Sequence, residues 1–126
     1  MPAKTRAAQL FAHSEGFGVP GAIPTVRHNP GDLRHAPHAS HAGIGPNDIG
    51  IEPNDDTGWD DLERQLRLFA DRGMTIREVV YTYAPPADGN PTEAYLNTVC
   101  KGLGLGPDVS FKIALEIPAE DPNVQS

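Results

Sequence analysis

Apolar residues recur at helical spacing in several stretches of this chain, separated by runs rich in Gly and Pro. Ala7, Ala8, Leu10 and Phe11 predict a first helix over residues 5–14, stopped by Gly16, Gly18, Pro20 and Gly21. From there to Asp56 no helical period is visible. Ile44, Ile49 and Ile51 around Gly45-Pro46-Asn47-Asp48 suggest a short hairpin. Thr57-Gly58-Trp59-Asp60 reads as the start of a second helix, whose face is Trp59, Leu62, Leu66 and Phe69 and whose end is Gly73. Thr75-Ile76-Arg77-Glu78 is a stronger capping box. It opens a third helix with Ile76, Val79, Val80 and Tyr83 on one side and Pro85-Pro86 at its end. Asn90 as cap and Pro91 as first residue predict a fourth helix carrying Tyr95, Leu96, Val99 and Leu103. A last helix is expected from Pro107-Asp108 through Leu115. The expectation is one mainly helical domain (α+β, with an irregular or hairpin insertion after the first helix) over residues 1–117, and a frayed tail over 118–126.

Composition narrows the class. A chain of 126 residues has room for one core, and 13 Gly with 13 Pro make it loop-rich. Cys100 has no partner for an intrachain disulfide, which suits a reducing compartment. No stretch approaches the ~18 apolar residues of a membrane span, and nothing at the N-terminus reads as a signal peptide. Synthesis in the cytoplasm without membrane insertion is therefore expected. The net charge of -7 argues against a nucleic-acid partner. It is unevenly spread: residues 1–41 hold four basic and two acidic residues, a net of +2, and the remainder holds six and fifteen, a net of -9.

The candidate chemistry lies in the non-acidic segment. Glu15 closes the first helix and runs into Gly16-Phe17-Gly18. A carboxyl on a rigid element beside an apolar wall is the setting that keeps an acid protonated near neutral pH, and Phe17 is the expected wall. The turn Arg27-His28-Asn29-Pro30-Gly31-Asp32-Leu33-Arg34 brings a second carboxylate, and Asp48 in the expected hairpin is a third. An Asp in a Pro-Gly turn also serves structure through side-chain to backbone bonds, so two roles stay open for Asp32. Asn29 and Arg34 suit sugar N-acetyl or lactyl-peptide groups, or bracing of the turn. Tyr81, Tyr83 and Tyr95 suit sugar contacts or, for the last two, core packing. Trp59 reads as core, and the acidic group Asp55, Asp56, Asp60 and Asp61 as helix N-terminal charge. His35, His38 and His41, with His28 upstream, have ligand-like spacing. Pro37 and Gly43 argue against a helix to present them, so the segment reads as a polar loop at a carbohydrate groove, and no metal or other cofactor is expected.

Glu15-Gly16-Phe17, Asn29-Pro30-Gly31-Asp32-Leu33-Arg34, Gly58-Trp59, Thr75-Ile76 with Glu78, and Tyr83-Ala84-Pro85-Pro86 with Asn90 and Tyr95 follow one another in a fixed order. Over about residues 7–106 the chain resembles the small lysozyme-like family of bacteriophages and prophages, whose members are often labelled phage structural protein or virion transglycosylase. Relatives commonly have Asn where this chain has Asp32. The resemblance implies a lysozyme-like fold and cleavage of the β-1,4 bond between N-acetylmuramic acid and N-acetylglucosamine in peptidoglycan. Glu15 matches the family's helix-terminal acid. Asp32 would be its partner in a hydrolase and dispensable in a lytic transglycosylase. Phe17, Asn29, Arg34, Asp48, Tyr83, Asn90 and Tyr95 are the expected glycan contacts. The implied partners are glycan strands and other virion proteins, met at the cell wall or periplasm. A glycan-gripping virion protein that does not cut, and a muramidase toxin aimed at competitors, are the alternatives.

Overall fold

The computed structural model describes residues 3–40 and 49–121. Among these the helices are α1 (Arg6–Ser14), α2 (Ile23–Val26), α3 (Asp55–Asp71), α4 (Ile76–Tyr83), α5 (Thr92–Leu103) and α6 (Phe111–Ala114), with a 3₁₀ turn at Pro86–Asp88. The protein is mainly helical. β-structure among the described residues is limited to isolated antiparallel bridges, Thr5–Pro118, Ser40–Ile51 and Thr75–Ser110. The expected hairpin tip, residues 41–48, lies outside the described residues. What flanks it is the single Ser40–Ile51 bridge and not a pair of strands.

Local chemistry sets each helix start. The Thr5 hydroxyl accepts the Ala8 N–H at 3.1 Å and donates to Glu63 of α3 at 2.6 Å, which pins the start of α1 to the middle of α3. The Thr75–Glu78 capping box of α4 forms as the sequence predicts. Two starts differ from expectation. α3 begins at Asp55, because Asn54 and not Thr57 is the cap: its side chain accepts the Thr57 N–H at 2.9 Å. Asp55 and Asp56 then sit in the first turn, where the exposed backbone N–H groups favour negative charge. α5 begins at Thr92, one residue later than expected, because the Asn90 amide is turned away to donate to the Pro85 carbonyl at 3.1 Å. The four-residue α2 escapes the sequence pattern, since its Ile23 and Val26 point to solvent and leave no apolar face to detect. α6 is likewise short, starting at Phe111 after the Ser110 cap.

The core forms where α1 meets α3 and α5. Phe11, fully buried, is its hub, with edge-on contacts to Tyr83 (5.0 Å), Tyr95 (5.6 Å) and Phe111 (6.0 Å). Leu62, Leu66 and Phe69 of α3 and Ile76, Val79 and Val80 of α4 complete it. Gly58 lets α3 lie directly against the Asn29 turn, because a Cβ there would overlap the His28 carbonyl. The C-terminal segment also departs from expectation: Ala119 N–H bonds the Lys4 carbonyl at 3.0 Å, and Glu120 exchanges hydrogen bonds with Gln9. Residues 118–120 are thus paired with the start of the chain and are not a frayed tail; residues 122–126 lie outside the described residues.

Candidate active site

Glu15 is fixed by the way α1 stops. It is the C-cap; Gly16 follows at φ +90, the left-handed conformation that favours glycine. The Phe17 N–H reaches back to the Ala12 carbonyl (3.0 Å) and the Gly16 N–H to that of His13 (3.1 Å), which closes the helix in a Schellman motif. The Glu15 backbone is therefore rigid. Its carboxyl enters a cleft of about 440 Å³, whose walls come from the 31–35 turn, Ile49, the α3 face at Gln65 and Phe69, and the segment Thr82–Asn90.

The second carboxylate is held just as firmly. Asn29 is fully buried, and its amide donates to the carbonyls of Leu33 (2.8 Å) and Gly50 (2.9 Å) while its oxygen accepts the Leu33 N–H (3.0 Å). The Asp32 N–H closes the turn on the Asn29 carbonyl at 2.9 Å. Asp32 itself sits at φ +52, a conformation that Asp and Asn tolerate better than other non-glycine residues. The Tyr83 hydroxyl donates to the Gly31 carbonyl, tying the turn to the end of α4.

Electrostatics separate the two acids. Burial raises the Glu15 pKa from 4.5; a hydrogen bond with Tyr95 acts against this and the charge of Asp32 acts with it, the sum being about 7. Burial raises Asp32 above its usual 3.8 as well, and the Arg34 and Arg27 guanidiniums limit that rise without cancelling it. Tyr83 and Tyr95 stay as neutral phenols, their pKa values pushed further up by burial and by the carboxylates beside them. One carboxyl able to hold a proton near neutrality thus shares a cleft with a second, also raised by burial, whose rise two arginines restrain.

Of the expected contacts, Glu15, Asp32, Arg34, Tyr83 and Asn90 line this cleft. Three others, Asn29, Phe17 and Tyr95, do not serve as expected. Asn29 is a brace with its amide spent on the backbone. Phe17 is not the wall beside Glu15: it turns to Trp59, ring centroids 5.3 Å apart, and packs on the core. Tyr95 is only 8% exposed and stands behind Glu15, with its hydroxyl 3.4 Å from the Phe11 carbonyl, so it supports the acid from inside. Asp48 lies outside the described residues. His35 lines the cleft, as a polar loop at a glycan groove would; Gln65, Phe69, Thr82 and Asp88 also line it and were not read as site residues in the sequence. Phe69 was hidden in a core stripe, and the rest carry no local signal.

The histidines disperse. His28 Nδ1 pairs with Asp55 at 2.8 Å, His38 Nδ1 with Asp61 at 2.7 Å, and His35 reaches the cleft; His41 lies outside the described residues. Among the described residues no group of three or more His, Cys, Asp or Glu side chains is arranged to hold a metal ion. No protein-family model, curated protein or solved structure matches the chain.

Proposed function

We propose that the protein is a lysozyme-like muramidase that cuts the β-1,4 bond of bacterial peptidoglycan. The observation that carries this reading is Glu15: a carboxyl at a rigid helix end, in an open cleft, holding its proton to about pH 7. Such a group protonates the glycosidic oxygen as the C1–O bond breaks and the sugar ring gains oxocarbenium character. The bond electrons leave with the oxygen, and Glu15 is left as carboxylate. It then takes a proton from the attacking oxygen, either water or the muramoyl 6-hydroxyl.

Asp32 in the same cleft supports the hydrolytic ending, since its charge can stabilise the ring or position water. In the transglycosylase ending the sugar's own hydroxyl closes an anhydro ring. Arg34, Tyr83 and Asn90 are the contacts proposed for the sugars and their peptide stems. The site of action is the bacterial wall, reached as part of a phage particle. The test is mass analysis of purified peptidoglycan after digestion. Reducing ends mean hydrolase and anhydro ends mean transglycosylase. No cleavage by the wild type, or full cleavage by Glu15→Gln, overturns the proposal. Binding to peptidoglycan without cleavage would replace it with the non-cutting virion protein.

A further inference from the structure

Glu52 is used by neither the fold's helices nor the cleft, yet it is one of the largest fully buried side chains. It is 2% exposed, and neither carboxylate oxygen has a hydrogen-bond donor. An ionised carboxylate buried without donors costs several kcal/mol, so something must neutralise it. The neighbour within hydrogen-bonding reach is another acid, Asp61 of α3, itself 1% exposed. Asp61 is already supplied with donors: the His38 N–H lies 3.0 Å from Oδ2 and the His38 ring Nδ1 2.7 Å from Oδ1. Glu52 is the member left without one.

The pair stands at a junction. Residues 49–52 form a strap. The Gly50 N–H bonds the Leu33 carbonyl (3.0 Å), Ile51 bridges to Ser40, and the Glu52 N–H bonds the Arg27 carbonyl (3.0 Å). Ile49 at its start lines the cleft, and the Arg27 guanidinium holds the Ile49 carbonyl. The Glu52 side chain ties this strap to α3, and Asp61 ties α3 to the 36–40 loop through His38. Among the described residues, the titratable side chain that meets the pair is His38 on the loop side, while Arg27 on the turn side reaches the strap backbone at the Ile49 carbonyl.

We propose that Glu52 and Asp61 share one proton and act as a latch, holding the cleft-wall strap on α3 until that proton is lost. The electrostatics agree with the geometry. Burial and Asp61 push Glu52 up to about 8. Burial acts to raise Asp61, but hydrogen bonds from Glu52 and from the His38 backbone and ring overrule it and hold Asp61 below its usual 3.8. Glu52 carries the proton and Asp61 the charge. Loss of the proton leaves two buried carboxylates face to face, and the strap lifts to let water reach them. The latch is independent of which bond the cleft cuts.

Infrared spectroscopy tests it directly, using ¹³C-glutamate labelling in a Glu15→Gln background so that Glu15 adds no signal. A protonated glutamic-acid carbonyl band should persist through neutral pH and vanish above about pH 8. Amide hydrogen exchange at Gly50, Ile51 and Glu52, corrected for base catalysis, should rise at least tenfold across the same interval. Glu52→Gln should remove the band and flatten the exchange profile. The proposal is overturned by a band already lost at pH 6, or by strap exchange indifferent to its loss. It is equally overturned if calcium added at pH 7 displaces the proton and abolishes the band. The band is read in a protein without the proposed catalytic acid, so its failure is distinct from failure of the muramidase reading.

Discussion

Replacing Glu15 by Gln should make the protein more stable at alkaline pH while removing its activity. The folded protein holds the Glu15 proton to about pH 7, whereas the unfolded chain releases it near 4.5. Between those values the folded state binds more protons, so stability falls as pH rises. Below pH 4.5 the carboxyl is neutral in both states and contributes no pH-dependent difference. The gap corresponds, at about 1.4 kcal/mol per pH unit, to a ceiling of ~3 kcal/mol. Glu15 is partly exposed, which lets solvent relieve some of that, so about 1–3 kcal/mol is the working figure. Gln keeps the shape and carries no charge. Urea unfolding of both proteins at intervals from pH 4 to 8.5 measures the difference. It should be pH-independent near pH 4, grow in favour of Gln from about pH 4.5 to 7, and then level off. Glu52 titrates in both proteins and largely cancels in the comparison. A difference that stays flat across this range would refute the claim that the fold keeps Glu15 neutral, and the argument for an acid catalyst would go with it. In the same preparations, peptidoglycan cleavage by the Gln variant should fall ~100- to 10,000-fold.

Asp32→Asn should fold normally, because Asn tolerates the left-handed backbone, and should cut cleavage at least ~10-fold. It should also shift the alkaline limit of activity downward, since the Asp32 charge helps hold the Glu15 proton; an unchanged rate with anhydro products would show that Asp32 is a turn residue. Asn29→Ala should cost about 2–4 kcal/mol in urea unfolding, because it strips partners from buried backbone groups at both the turn and the strap. If Asn29 were a surface sugar contact, stability would hold and only glycan affinity would drop. Gly58→Ala should lower stability by about 1–3 kcal/mol in thermal melts despite alanine's better helix propensity, since its methyl meets the His28 carbonyl.

Residues that act through their own neighbours were legible in the sequence. The Thr75–Glu78 box, the apolar stripes of α3, α4 and α5, and the stop of α1 at Gly16 are local physics, and the structure has them where the pattern puts them. Helix starts shifted by three residues in α3 and one in α5, where a competing cap, Asn54, or a competing acceptor, the Pro85 carbonyl, lay just outside the pattern. Glu15 was identified as a candidate acid because a carboxyl at a helix end before a glycine is itself a local signal.

Side-chain roles set by distant partners were not legible. Nothing near Asn29 shows that Gly50 will use its amide, and nothing near Phe17 shows that it will turn to Trp59. The reason Glu15 holds its proton is likewise non-local: it is burial, aided by the charge of Asp32 seventeen positions on, and burial is set by how the rest of the chain closes around the end of α1. Asp61 reads as helix N-terminal charge and Glu52, nine positions before it, carries no local signal, yet both are shut away from water, 1% and 2% exposed, in the folded chain. The sequence by itself determined the longer helices α1, α3, α4 and α5, their faces and the placement of one carboxyl at a helix end, because those depend on spacing along the chain. Burial depends on what the rest of the chain brings alongside. Only the tertiary structure decided which carboxyls are protonated, which polar groups are spent on bracing, and where the cleft opens.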